Sequence, residues 1–244
     1  MWFAAKCPVR PEEQQWIDVS MDWLVDSFGE DVLHRPVMLP TDEFFPGTYT
    51  GSRDDVRAVL GRVAAHMRVD TARVDLLFES PDEAQAALLS SLPAYQRSST
   101  DAAGHYRRRD GRGVITVRED QARDPMALVA TLAHELGHER LIGEGRHDGG
   151  AKDHEPLTDL LTVVFGLGIF AANSAFDYRG DSGGWQTRRL GYLTEPMFGY
   201  ALGRYAWLRG ETSPGWARYL DTNPRAYQKR SLRFLASSGA RGPG

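Results

Sequence analysis

His134, Glu135 and His138 are the residues whose types and spacing most directly promise chemistry. They stand in the string His134-Glu135-Leu136-Gly137-His138, an H-E-x-x-H pattern. On a helix, positions i and i+4 lie about 40° apart around the axis, so both imidazoles face one point and can share one metal ion. Glu135 is turned about 100° away, where a carboxylate can reach a water at the metal without itself being a ligand. Val129, Leu132 and Leu136 fall on the opposite face, and Ala127, Ala130, Thr131 and Leu141 flank the histidines, which predicts a helix packed on both sides. Two neutral imidazoles buried in such a helix would leave nitrogens costing about 1–3 kcal/mol each if unpaired, whereas a metal satisfies one on each ring.

A catalytic zinc needs three protein ligands and an open position for water. The extended motif that supplies a third histidine six residues on requires Gly at 141 and His at 144; the chain has Leu141 and Glu144. Glu155 is the better candidate. It opens a segment in which Glu155, Asp159, Thr162 and Gly166 share one stripe, against Leu157, Leu160, Leu161 and Val164 on the other side. A polar stripe on so apolar a helix needs a partner. His154, beside Glu155, is the alternative third ligand.

His134, Glu135, His138, Glu155 and Asp159 together resemble the signature of the gluzincin zinc metallopeptidases, the thermolysin-like clan, where HExxH precedes a ligand Glu in an ExxxD pattern on a second helix. The resemblance spans roughly residues 105 to 175. It implies Zn2+ held by His134, His138 and Glu155, with Glu135 as general base and Asp159 orienting the His134 ring. The last role also has a physical reason, since a ligating histidine normally donates its other N–H to a carboxylate or carbonyl. The implied activity is metal-assisted hydrolysis of a peptide or protein substrate, Glu135 taking a proton from water and returning it to the amine. Members of the clan usually add a Tyr or His that bonds the oxyanion; the candidates are Tyr192, Tyr200, His147 and His154. A hairpin ahead of the first zinc helix resembles the sheet edge on which such enzymes hold extended peptide.

Composition narrows the alternatives. The 244 residues carry 29 Lys+Arg against 33 Asp+Glu, a formal charge of −4, so no broad basic field exists for nucleic acid. Cys7 is the only cysteine, which excludes an intrachain disulfide and any zinc site built on several thiolates. The first fifteen residues carry Lys6, Arg10, Glu12 and Glu13 without an apolar core, unlike a secretory signal. Leu157 to Ala172 is short for a bilayer span of ~20 residues and contains Thr158, Asp159 and Thr162. It reads as a buried core helix, and a cytoplasmic setting without membrane attachment is expected.

The elements that must position the motif follow from periodicity and punctuation. A helix is expected over 12–28, with Trp16, Val19, Trp23 and Leu24 at helical intervals and Gly29 as its stop. Pro36, Pro40 and Pro46 mark a loop, and Ser52 caps a second helix to about Met67 with Val56, Val59, Leu60 and Val63 inward. Val74 to Phe78 reads as a buried strand, 81–92 as a short helix, and His105–Arg109 with Val114–Val117 as hairpin arms. Helices are then predicted over 125–142 and 153–172, separated by a Gly-rich loop, and near 195–209, 214–221 and 224–236, after a Gly/Ser/Asp loop over 177–184. The expected class is α+β: a zincin-like domain with a small mixed or antiparallel sheet and the HExxH helix, then a mainly helical C-terminal half. Residues 1–100 would complete the sheet, 101–176 form the core with the metal, 177–238 a helical subdomain and 239–244 a frayed tail.

Competing motifs carry less. Gly180-Asp181-Ser182-Gly183-Gly184 repeats the string around a serine protease nucleophile, but helices are expected on both sides, no strand precedes Ser182, and no uncommitted His–Asp pair serves it. Gly145 to Lys152 fails as a phosphate loop because Asp153 stands where Ser or Thr should bind magnesium. Arg107, Arg108 and Arg109 read as a solvated hairpin face and Cys7 as a partly buried thiol. From another class, the alternative is a non-catalytic zincin-like interaction module whose metal site is structural or vestigial.

Overall fold

A computed structural model describes residues 5–80, 104–181, 184–189 and 192–238, with side chains omitted for 104–106 and 176–189. The chain is α+β and mostly helical. The helix expected over 81–92 lies outside the described residues, as do Ser182 and the tail.

Local sequence explains the main helices. Pro11 opens α1 (Pro11–Phe28), and Gly29 ends it at φ +89°. In α2 (Arg53–Met67) the Ser52 hydroxyl accepts the N–H of Asp55 while the Asp55 carboxylate accepts the N–H of Ser52, a reciprocal capping box. Asp124 caps α3 (Pro125–His138) by accepting from Met126 and Ala127, with Pro125 at the first turn. Of the α1 residues picked out by interval, Leu24 is fully buried and Trp16 and Trp23 pack partly buried against the core. Ile17, Met21, Leu24 and Val25 face inward, and Val19 is 62% exposed. Adjacent apolar stripes compete on α1, and packing against the later helices selects one.

Three strands form a sheet in the order β1-β3-β2: β1 (Val74–Glu79), β2 (Gly104–Arg109) and β3 (Arg112–Arg118). The expected hairpin is there, with Arg109 opposite Arg112. β1 joins the far side of β3 in parallel, Val74 opposite Gly113 and Phe78 opposite Val117, so the sheet is mixed. As an edge strand β1 is not the buried strand its composition suggested; Leu77 is half exposed. Ile115 and Val117 of β3 are fully buried in the core.

The helix expected over 153–172 is broken into α4 (His154–Val164) and α5 (Gly168–Ser174). Gly166 takes φ +78°, and its carbonyl accepts the N–H of Met38, redirecting the chain. The loop expected over 177–184 is instead largely a two-stranded ribbon, β4 (Phe176–Asp181) and β5 (Gly184–Arg189). This removes one reason for setting Ser182 aside, since a strand does precede it. α6 (Glu195–Leu208) and α7 (Thr222–Ser238) follow, with a 3-10 turn at Gly215–Tyr219 between them. One hydrophobic cluster runs from Val9 to Leu235, crossing the divisions drawn at 100 and 176. No helix among the described residues is long and apolar enough to cross a membrane.

Candidate metal centre

α3 and α4 place the chemistry. They pack closely because residue 137 is glycine: a Cβ there would come 2.8 Å from Thr158 Cγ2. The same contact surface sets His134 and His138 of α3 opposite Glu155, Thr158 and Asp159 of α4. A π-helical turn, Glu139–Gly143, continues α3 directly and carries the chain away toward the loop that ends at His154.

Ligating atoms of His134, His138 and Glu155 all lie within 4.8 Å of one another, a group that could hold a metal ion. The convergence is finer than the spacing alone required. Nε2 of His134 stands 2.9 Å and Nε2 of His138 stands 3.3 Å from one and the same oxygen, Oε2 of Glu155. The other nitrogen of each ring is engaged from behind. His134 Nδ1 lies 2.9 Å from Asp159 Oδ1, so it donates to that carboxylate. His138 Nδ1 lies 3.3 Å from the Thr158 hydroxyl oxygen. That hydroxyl spends its own proton on the His154 carbonyl at 2.7 Å, leaving a lone pair for the Nδ1–H of His138. Both rings are thereby held with Nδ1 as donor and Nε2 turned to the shared point. Thr158 was not among the expected residues, although its place three residues after Glu155 puts it one turn along the same face.

Electrostatics follow the same line. Burial disfavours charge on His134, but hydrogen bonds to Asp159 and Glu155 outweigh it and push its pKa up to about 10. His138 is pushed down, chiefly by burial, toward the neutral form that ligates metals. Burial would raise Glu155, yet hydrogen bonds to the two histidines hold it well below the usual carboxylate range.

The remaining expected residues divide. Glu135 is buried, and its charge acts on both His134 and Tyr192. Asp159, also buried, accepts the backbone N–H groups of Tyr192 at 2.7 Å and Leu193 at 3.0 Å as well as the His134 proton. That brings Tyr192 to the site. Its ring stacks on His134 with centroids 5.8 Å apart, and burial with the surrounding carboxylates raises its hydroxyl pKa, so it stays a proton donor. Tyr200 goes elsewhere: its hydroxyl donates to Asp18 at 3.0 Å, tying α6 to α1 alongside an Arg204–Asp18 ion pair. His154 has Nδ1 on the Ala151 carbonyl and Nε2 3.2 Å from Glu155 Oε1, the oxygen turned away from the histidine pair. His147 lies edge-on to Trp23 near Asp153.

Compared with family models, curated proteins and solved structures, the chain matches none of them.

Proposed function

We propose that this chain is a zinc-dependent peptidase of the gluzincin kind, in which His134, His138 and Glu155 bind the metal and Glu135 is the general base. The observation that carries the reading is the meeting of two histidine Nε2 atoms on one Glu155 oxygen, with each Nδ1 engaged behind it. Two imidazoles and one carboxylate form a donor set that fits zinc and leaves room for a water. Zinc, when bound, supplies Lewis acidity, polarising a carbonyl and lowering the pKa of water toward ~7.

The chain's own residues do the rest. Asp159 fixes the tautomer and direction of His134, and Thr158 does the same for His138. Glu135, beside the histidine pair but directed differently along the helix, takes the proton from the attacking water and delivers it to the leaving amine. Tyr192 keeps its phenolic proton and donates a hydrogen bond to the oxygen on which charge develops. The substrate is a peptide or protein, its extended backbone lying against the small sheet.

The test pairs metal content with turnover on a proteome-derived peptide library. Glu135→Gln should keep its zinc and lose hydrolysis, whereas His138→Ala should lose both. A wild-type protein that binds zinc yet cleaves nothing in the library would favour the non-catalytic module instead.

A further inference from the structure

On the C-terminal helices, a cavity of about 530 Å³ opens between the end of α6, the 212–217 loop and one face of α7, built from residues other than those of the metal cluster. Its size falls within the range of small-ligand sites, roughly 300–1,000 Å³. Trp207, Pro214, Leu232 and Ala236 give it an apolar wall, and Thr212 and Ser213 line the loop side. Gln228 lines it too, 1% exposed, with neither its amide nitrogen nor its amide oxygen hydrogen-bonded among the described residues. A buried amide without partners carries an uncompensated desolvation cost, so native proteins rarely keep one unless something else completes it.

The charge around the cavity has one sign. Lys229 and Arg233 line it one turn apart on α7, and no acidic residue is among the described residues that line it. Glu211, the acid on the adjoining loop, is already committed to Arg209 at 2.8 Å and to the Trp216 indole N–H at 2.7 Å. Among the described residues Arg233 donates to a single backbone carbonyl, that of Lys229. We infer that this cavity binds a small amphiphilic anion, an apolar carboxylic acid whose body lies on Trp207 and Leu232 and whose carboxylate meets Lys229, Arg233 and the Gln228 amide N–H.

The probe is 3-phenylpropionate, titrated calorimetrically into the full chain after metal removal, so that its carboxylate cannot report on the metal centre. Saturable binding at one site is expected, with the neutral amide of the same acid and phenethylammonium weaker by about tenfold or more. Charge reversal at the exposed positions, Lys229→Glu or Arg233→Glu, should weaken the anion by roughly fivefold each without changing the circular dichroism. Gln228→Met keeps the volume and should weaken binding while leaving the fold at least as stable. Equal affinity for anion and amide, or unchanged affinity in both charge reversals, overturns the inference. So does the absence of saturation up to the millimolar range.

Discussion

Asp159→Asn isolates the residue on which the proposed metal centre turns. The wild-type carboxylate accepts three hydrogen bonds: the His134 Nδ1–H on one oxygen, and the Tyr192 and Leu193 backbone N–H groups on the other. Asparagine is nearly isosteric, and its single oxygen can keep the two backbone donors. Its NH2 then faces His134 Nδ1, and two donors cannot share that line. The ring responds by moving its proton to Nε2, the nitrogen that faces Glu155 at 2.9 Å and would have to bind the metal. Ligation must then restore the opposed donors, forfeiting a hydrogen bond to a charged acceptor worth about 1.5–3 kcal/mol. That converts to a loss of about 10–100-fold in zinc affinity. Competition against a chromophoric chelator measures it, with thermal unfolding of the metal-free proteins confirming that the fold is retained. A variant that binds zinc within about threefold of wild type would refute the argument that Asp159 sets the tautomer.

Three further perturbations probe neighbouring parts of the account. Tyr192→Phe should lower kcat by about 10–100-fold with zinc content unchanged, because only the hydroxyl that meets developing charge is removed. Gly137→Ala should destabilise the protein by about 1–3 kcal/mol and weaken zinc binding, since the new methyl group drives Thr158 off the position from which it holds His138; chemical denaturation and the same chelator competition check both effects. His66 is half-buried with Nε2 on the Phe165 carbonyl at 2.8 Å, and the loss of solvent around the ring lowers its pKa below the ordinary 6.5. The unfolded chain therefore binds the proton first, so stability is full above about pH 6.5 and declines as the pH falls through the folded value. Unfolding midpoints measured between pH 7 and pH 5 should show that slope in wild type and a shallower one in His66→Gln.

The His134, His138 and Glu155 cluster was legible because it depends on local periodicity. Four residues bring two histidines to one face of α3, and four more place Asp159 one turn beyond Glu155 on α4, whatever the rest of the chain does. Thr158 escaped notice because a threonine on an apolar helix carries no message of its own until His138 is seen to lie against its lone pair. The choice between Tyr192 and Tyr200 was likewise not local. One is drawn in by its backbone N–H on Asp159, the other by Asp18 nearly two hundred residues earlier.

Elsewhere the departures of the fold from the local pattern share a cause. Parallel pairing of β1 with β3 joins segments about forty residues apart, and nothing in Val74–Glu79 announces its neighbour. The break at Gly166 hides in an apolar run that favours continuing the helix, and it is set by the close approach of Pro36 and Val37 to that glycine. The β4–β5 ribbon reads as a loop because its small turn residues dominate the local composition, although Phe176 and Tyr178 alternate with polar residues as strand sequences do. Where a nearby repeat fixes the geometry, the residues alone were enough; where a distant contact chooses between two local options, they were not.

The most direct test of the central claim is X-ray absorption at the zinc edge on the wild-type protein after zinc loading and removal of excess metal. One zinc per chain, with two imidazole shells and light oxygen scatterers at about 2.0–2.1 Å, is the predicted result. A spectrum with no stoichiometric zinc, or with histidine shells that survive His134→Ala unchanged, would contradict it.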